Sequence, residues 1–262
     1  MQNIFVFDIE TVPDTQQLRD TYRIENRELN LTDSEIAKAM IALRRGETGS
    51  GFLRHHQHKI VAISVLFRSQ DKIKLWSLGE EDSSEKELIE RFFDGIDKYK
   101  PILVSYNGSN FDLPVLQYRA LHHGVAAKTY LEVGDNLPDF KWNNYLNRYH
   151  SRHLDLMDVI SCYQSRAVAS LNAVSHLLSL TGKLGMDGSG VMDSYYSNDI
   201  EAIRSYCEID VLNTYLIYLN FERIRGNLSQ VEFEEELNFT KKSLLETGSL
   251  HVKEYYDLIE AY

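Results

Sequence analysis

The 262-residue chain is 43% hydrophobic and 26% charged, the balance of a soluble globular protein long enough to bury a sizeable core. Its net charge of −11 argues against a generic nucleic-acid coat or a binder of anionic membranes, since both rely on excess Lys and Arg. It leaves room for an enzyme that meets nucleic acid through bound cations. Two cysteines, Cys162 and Cys207, stand far apart and in no CxxC pair. A disulfide framework or a zinc–thiolate site is not expected from them; two half-buried core thiols in a reducing cytoplasm are. There is no basic n-region with an apolar h-region and no apolar run of bilayer length, so neither a signal peptide nor a membrane span is expected.

In chain order, Asn3 to Ile9 reads as a buried strand. A polar stretch follows, then LTDSEIAKAMIALRRG, a helix with a capping box at Thr32 and Glu35 and a stop near Gly46. KIVAISVLF (59–67) and KIKLW (72–76) flank the polar RSQD and predict a hairpin. SSEKELIERFFDGIDKY carries Leu88, Ile89, Phe92, Phe93 and Ile96 at helical spacing. PILVSYNG supplies a short strand at 102–105, and a helix from Leu113 to His123 closes at Gly124. Residues 126–152 are polar, aromatic-rich and without period, hence a long loop. HLDLMDVI gives a strand leading into a helix, LNAVSHLLSL a further helix, and KLGMDGSGV a glycine-punctuated loop. DIEAIRSYCEIDVLNTYLIYLNFERI is a long amphipathic helix, followed by the helical QVEFEEELNFTKKSLLE and SLHVKEYYDLIEAY. This order predicts an α/β fold, a mixed sheet flanked by helices. Three early strands are expected to pair through short connections and later ones to join by helical crossovers. No repeat, low-complexity run or linker divides the chain.

Within FVFDIET, two acids interrupt an apolar strand. Asp8 and Glu10 are two apart and so project from one face, about 6.6 Å apart along the strand. Burying both demands a cationic partner that the local sequence does not supply. An acid pair at a strand end that reaches water would look the same. In SYNGSNFDLPVL, Asn107 and Asp112 flank a Gly-Ser-Asn turn, and Asp112 stands where a helix begins, a position also explained by capping. In IRSYCEIDVLNTYL, Tyr206 and Asp210 are four apart and share a helix face beside the apolar stripe of Ile203, Cys207, Val211 and Ile217. Glu208 falls on the far side and reads as the solvated acid.

D-x-E on the first strand, N-x-x-x-F-D at a strand-to-helix turn and Y-x-x-x-D on a late helix follow one another about a hundred residues apart. This set resembles the DEDD superfamily of 3′–5′ exonucleases, in its tyrosine-bearing branch. FDIET…NGSNFDLPVL…YCEIDVLNTY is most similar to the stand-alone predicted exonucleases related to the proofreading domain of family B DNA polymerases. The resemblance implies a ribonuclease H-like mixed sheet of five to six strands. It also implies an exonuclease domain over 1–225, with 226–262 as a helical extension packed on it.

The resemblance supplies the missing partner as two divalent cations, Mg²⁺ or Mn²⁺, held by Asp8, Glu10, Asp112 and Asp210. Tyr206 would orient the attacking water, Asn107 and the backbone around Thr11 would hold the terminal nucleotide, and Phe111 would pack beneath it as part of the substrate site or serve a purely structural role. Asp155 falls where related enzymes carry an acid behind the metal ligands, with a structural role equally open. The implied activity is release of nucleoside monophosphates from 3′ ends, with single-stranded DNA favoured and RNA as the alternative. A catalytically silent docking module of the same fold is the rival from another class. A phosphotransferase with an Asp nucleophile would need D-x-D and a later lysine, where this chain has Glu10. Arg148, Arg152 and His153 form a local basic patch that substrate phosphates could meet. RHHQH at 54–58 matches no zinc spacing. With no polymerase palm after it, the chain is expected to find DNA ends alone or through a protein partner at its two last helices.

Overall fold

The structure, a computed structural model, describes residues 3–22, 31–182, 188 and 190–260. Strand β1 (Ile4–Pro13) is ten residues long and buried on both faces through its first half. It is followed by helices α1 (Thr15–Tyr22) and α2 (Asp33–Thr48). The expected capping box at Thr32 and Glu35 is present, but α2 runs through Gly46 and ends at Gly49, whose φ of 77° suits glycine. A short 3-10 turn (His55–Gln57) leads into β2 (His58–Arg68), which turns back on β3 (Ile73–Ser77). Next come α3 (Glu85–Tyr99), β4 (Ile102–Ser105), α4 (Asp112–His123), β5 (His153–Asp155) and α5 (Leu156–Ile160). Helices α6 (Leu171–Leu177), α7 (Gly190–Tyr196), α8 (Ile200–Ile224), α9 (Gln230–Leu245) and α10 (Leu250–Glu260) complete the order. The glycine-punctuated loop expected at 183–191 lies largely outside the described residues.

The sheet has five strands in the order β3-β2-β1-β4-β5, with β2 antiparallel to β1 and β3, and β4 and β5 parallel to β1. It is an α/β, ribonuclease H-like arrangement. One expectation about its connections fails. The hairpin joining β2 and β3 is short, but β1 reaches β2 only after α1 and α2, since polar segments can fold back as helices wherever an apolar face finds cover. Here Leu18, Ile36, Met40 and Leu53 form that cover as a small core of their own.

Alternation along β1 sorts its side chains to two layers. Phe5, Phe7 and Ile9 meet α3 and α4 on one face, packed with Phe92, Phe93, Leu113 and Leu116. Ile4 and Val6 face the other layer, where Ile209, Leu212 and Leu216 of α8 lie. Each such apolar side chain contributes about 1.5–3 kcal/mol on burial. The last helices close this second layer. Arg68 of β2 pairs with Glu236 of α9 at 2.6 and 2.8 Å, and the Tyr215 hydroxyl donates to the same carboxylate at 2.7 Å. Among the described residues no helix is long and apolar enough to cross a membrane.

Candidate active site

Asp8 and Glu10 lie on the face of β1 that turns towards α8, where that face passes from core to solvent. A bulge between Glu10 and Thr11 shifts the pairing with β2, so that Glu10 opposes Ala62 and Thr11 opposes Ile60. Bulges of this kind re-aim side chains beside functional sites.

The second acid arrives from the loop after β4. Asn107 adopts a left-handed φ of 71°, which Asn tolerates better than most side chains, and its carbonyl accepts from the Asn110 and Phe111 N–H groups. Gly108 is required by close approach: a Cβ there would collide with Ser105 Oγ, which is itself fixed at 2.8 Å from His153 Nε2. The tight turn starts α4 at Asp112, one residue earlier than expected. Asp112 is 4% exposed, and its Oδ1 accepts the Ile9 N–H at 3.1 Å, between the two acids of β1.

The third group comes from α8, begun by Asp199, whose side chain accepts from the Ala202 N–H. One face brings Tyr206, Cys207 and Asp210 to β1. The Tyr206 hydroxyl is hydrogen-bonded to Asp210 one turn on. Cys207, fully buried, donates its thiol to the Asp8 carbonyl at 3.5 Å and to Asp8 Oδ2 at 3.6 Å. Ligand atoms of Asp8, Glu10 and Cys207 all lie within 4.8 Å of one another.

The electrostatics follow from this crowding. Burial, then the charges of Asp112, Glu10 and Asp210, push the Asp8 carboxyl well above the carboxylate range, with the Cys207 thiol as the one opposing contact. Burial lifts Asp112 to about 7, although its own helix backbone and Ile9 N–H pull the other way. Burial first, then Asp210 and Glu10, raise Tyr206, so its hydroxyl stays protonated. Burial and then Asp8 and Glu10 likewise raise the Cys207 thiol. No Lys, Arg or His enters among the groups that shift Asp8. A converging set of oxygen donors with such a deficit of positive charge suits hard divalent cations.

Among the flanking residues, the basic patch and Glu208 depart from the sequence reading, and the others take up defined contacts. Thr11 Oγ1 lies 2.9 Å from His58 Nδ1, and burial lowers His58 to about 4, so it is neutral. Phe111 packs against Phe52, His55 and His58 with ring centroids 5.2–6.0 Å apart. The Asp155 carboxylate accepts from the N–H groups of Asn107, Ser109 and Met157 at 2.8–3.1 Å, so it holds the 107–109 loop rather than facing solvent. The expected basic patch is dismantled. Arg148 pairs with Asp158 at 2.7 Å, Arg152 lies over Phe140, and His153 is buried and neutral, lowered to about 4 by burial. Glu208 is not solvated either: it accepts from Ser77 Oγ at 2.7 Å and meets His251 of α10 at 2.9 Å. The two thiols differ sharply, Cys162 being exposed and Cys207 buried at the acids. Cys207, His58, Phe52 and His55 were missed as site neighbours. The cluster RHHQH beside an aromatic was the one signal for the last three, and it carries no metal spacing, while Cys207 carried only its place in the apolar stripe of α8.

The similar proteins are longer chains. The catalytic polypeptide of DNA polymerase epsilon from Dictyostelium discoideum is 29% identical over 143 residues, 53% of this chain and 6% of that one. A DNA polymerase of Methanocaldococcus jannaschii is 25% identical over 165 residues, 61% of this chain and 10% of its own length. The chain thus spans a tenth or less of these curated relatives. The family B DNA polymerase of Pyrobaculum calidifontis aligns in three dimensions over 82% of this chain and 24% of its own, with a TM-score of 0.49 and 16% identity. Residues 50–259, which contain Asp112, Tyr206 and Asp210 and follow Asp8 and Glu10, match a family model, and by that match the chain belongs to the predicted 3′–5′ exonucleases related to the exonuclease domain of PolB.

Proposed function

We propose that the chain hydrolyses the 3′-terminal phosphodiester of single-stranded DNA and releases nucleoside monophosphates. The observation that carries the reading is the meeting of acids from β1, α4 and α8, with the Asp8 carboxyl raised by burial and by the other three acids and the Asp112 carboxyl raised by burial, beside a protonated tyrosine, in a chain of this exonuclease family. Asp8, Glu10, Asp112 and Asp210 would hold two divalent cations, Mg²⁺ or Mn²⁺. Bound there, such ions lower the pKa of water and offset charge on the phosphoryl and leaving 3′ oxygens.

The chain's own groups do the positioning. Asp8 faces the other three acids. Asp112 is kept against β1 by the Ile9 N–H. Tyr206 keeps its proton and is tied to Asp210, so its hydroxyl orients the attacking water rather than acting as a base. Thr11, held by His58, and the Asn107–Phe111 loop, held by Asp155, flank the place of the terminal nucleotide. In this reading residues 1–225 form the exonuclease domain. Residues 226–262 are a helical extension that offers a face for a protein partner. Two free cysteines suit a reducing cytoplasm.

The test is degradation of 5′-labelled single-stranded DNA and matched RNA with Mg²⁺ or Mn²⁺, beside an Asp8→Ala protein. A ladder that shortens from the 3′ end, faster on DNA and lost in the variant and in EDTA, is the expected result. No metal-dependent shortening of either strand would overturn the reading.

A further inference from the structure

The connection from the end of α2 to β2 has a charge opposite in sign to the rest of the chain. Between residues 44 and 58, Arg44, Arg45 and Arg54 stand against the single acid Glu47, in a chain of net charge −11. Phe52 in this segment is 54% exposed, yet its ring is anchored, with centroids 5.3 Å from Phe111 and 5.4 Å from His58. Its carbonyl accepts from Arg44 Nε at 3.3 Å. Arg45 and Arg54 are both exposed, seven residues before and two after Phe52 in the chain, and the Arg45 guanidinium lies against Gly51, the residue before Phe52.

Two hydrogen bonds fasten this segment to the acids. His58 Nδ1 meets the hydroxyl of Thr11, the residue after Glu10, and His55 Nε2 meets the carbonyl of Asn110, two residues before Asp112. An exposed aromatic ring anchored on Phe111 and His58, in a segment that also exposes two arginines, suits a flexible polyanion with flat bases. Rings stack on bases whatever their identity, and guanidinium groups meet phosphates.

We propose that Arg45, Phe52 and Arg54 form the track on which single-stranded DNA lies as its 3′ end enters the acidic cluster. Phe52 stacks on a base and the two arginines meet phosphates. This rests on the exonuclease reading above.

The test is binding of a 5′-labelled oligothymidylate of roughly twelve nucleotides, followed by fluorescence anisotropy in EDTA so that nothing is cleaved. Arg45→Glu with Arg54→Glu weakens binding by at least about ten-fold and flattens the log–log salt slope by about 1.4, the loss of two phosphate contacts on a single strand. Phe52→Ala weakens binding about ten-fold with the slope unchanged. Phe52→Leu, which keeps an apolar group against Phe111, weakens it by a similar factor. Lys242→Glu with Lys253→Glu, on α9 and α10, makes the same charge change at a distance and alters binding less than about two-fold. The track is overturned if that distant pair weakens binding as much as the arginine pair, or if Phe52→Leu binds like wild type. A wild-type ladder on the same oligonucleotide with Mg²⁺, combined with unaffected variants, defeats the track and leaves the exonuclease reading standing. Neither binding nor a ladder defeats both, and tight binding of matched RNA without DNA overturns the assignment to DNA.

Discussion

Replacing Asp112 by Asn should stabilise the cation-free protein, and the gain should grow with pH in a defined window. Burial lifts the Asp112 carboxyl from 3.8 to about 7 in the folded chain. Between those values the folded state keeps a proton that the unfolded state has released. Stability from this group is therefore greatest below pH 4, falls as pH rises and levels off above pH 7. At about 1.4 kcal/mol per unit, the whole fall is about 4 kcal/mol. Asn retains an oxygen to accept the Ile9 N–H and carries no charge, so the variant escapes the loss. The wild-type curve alone hides this, because His58 and His153, lowered by burial to about 4, gain stability as pH rises from there to 6.5. Subtracting one protein from the other removes the histidines. Urea unfolding in EDTA should show the advantage of Asp112→Asn widening by about 4 kcal/mol between pH 4 and pH 8. Mg²⁺ or Mn²⁺ added to the wild type at pH 8 should close the gap by binding the folded state. An advantage that does not change with pH, or a wild type more stable than the variant at pH 8 in EDTA, would refute the claim that burial holds a proton on Asp112 in the cation-free fold.

Tyr206→Phe removes the hydroxyl bonded to Asp210 and should lower kcat by up to about 100-fold with little change in KM, measured by steady-state kinetics on a single-stranded oligonucleotide; an unchanged kcat would sink the orienting role. Arg119 bridges Asp14 at 2.6 Å and Glu85 at 2.5 and 2.7 Å in a network that also holds the Ile60 N–H. Arg119→Met takes the guanidinium from two buried carboxylates, leaving Glu85 with His123 and the Ile60 N–H and Asp14 with the Gln17 N–H, and should cost about 3–5 kcal/mol, seen as a fall in Tm of roughly 10 °C; a fall of a degree or two would mean that water reaches the pair. Cys162 is exposed and Cys207 is not, so an aromatic disulfide reagent should titrate one thiol in the native protein and the second only in denaturant, and two fast native thiols would contradict the packing of α8 on β1.

What was legible in the sequence is what short-range rules encode. The alternation of FVFDIET fixes which side chains share a face of β1. The i to i+4 spacing of Tyr206 and Asp210 puts them on one side of α8, and the turn before Asp112 follows from Asn107 and Gly108. What was not legible depends on where elements land. Ile4, Val6, Asp8 and Glu10 all project from the face of β1 that α8 covers, so core and acids form one continuous surface with no boundary marked in either sequence. Cys207, read from its helical stripe as a core residue, is indeed buried there. However, the part of β1 it packs against is Asp8, and its thiol becomes a donor to that acid rather than a filler among methyl groups. The 52–58 segment is hidden for a related reason. Its partners, Thr11 and Asn110, are 47 and 55 residues away in sequence from the histidines that hold them, and no local pattern requires histidine at either contact. The acids were recognisable because each sits in a strand, at a turn into a helix or on a helix face with its own local signature. Their neighbours have no such signature, so they emerge only when β1, α4 and α8 converge.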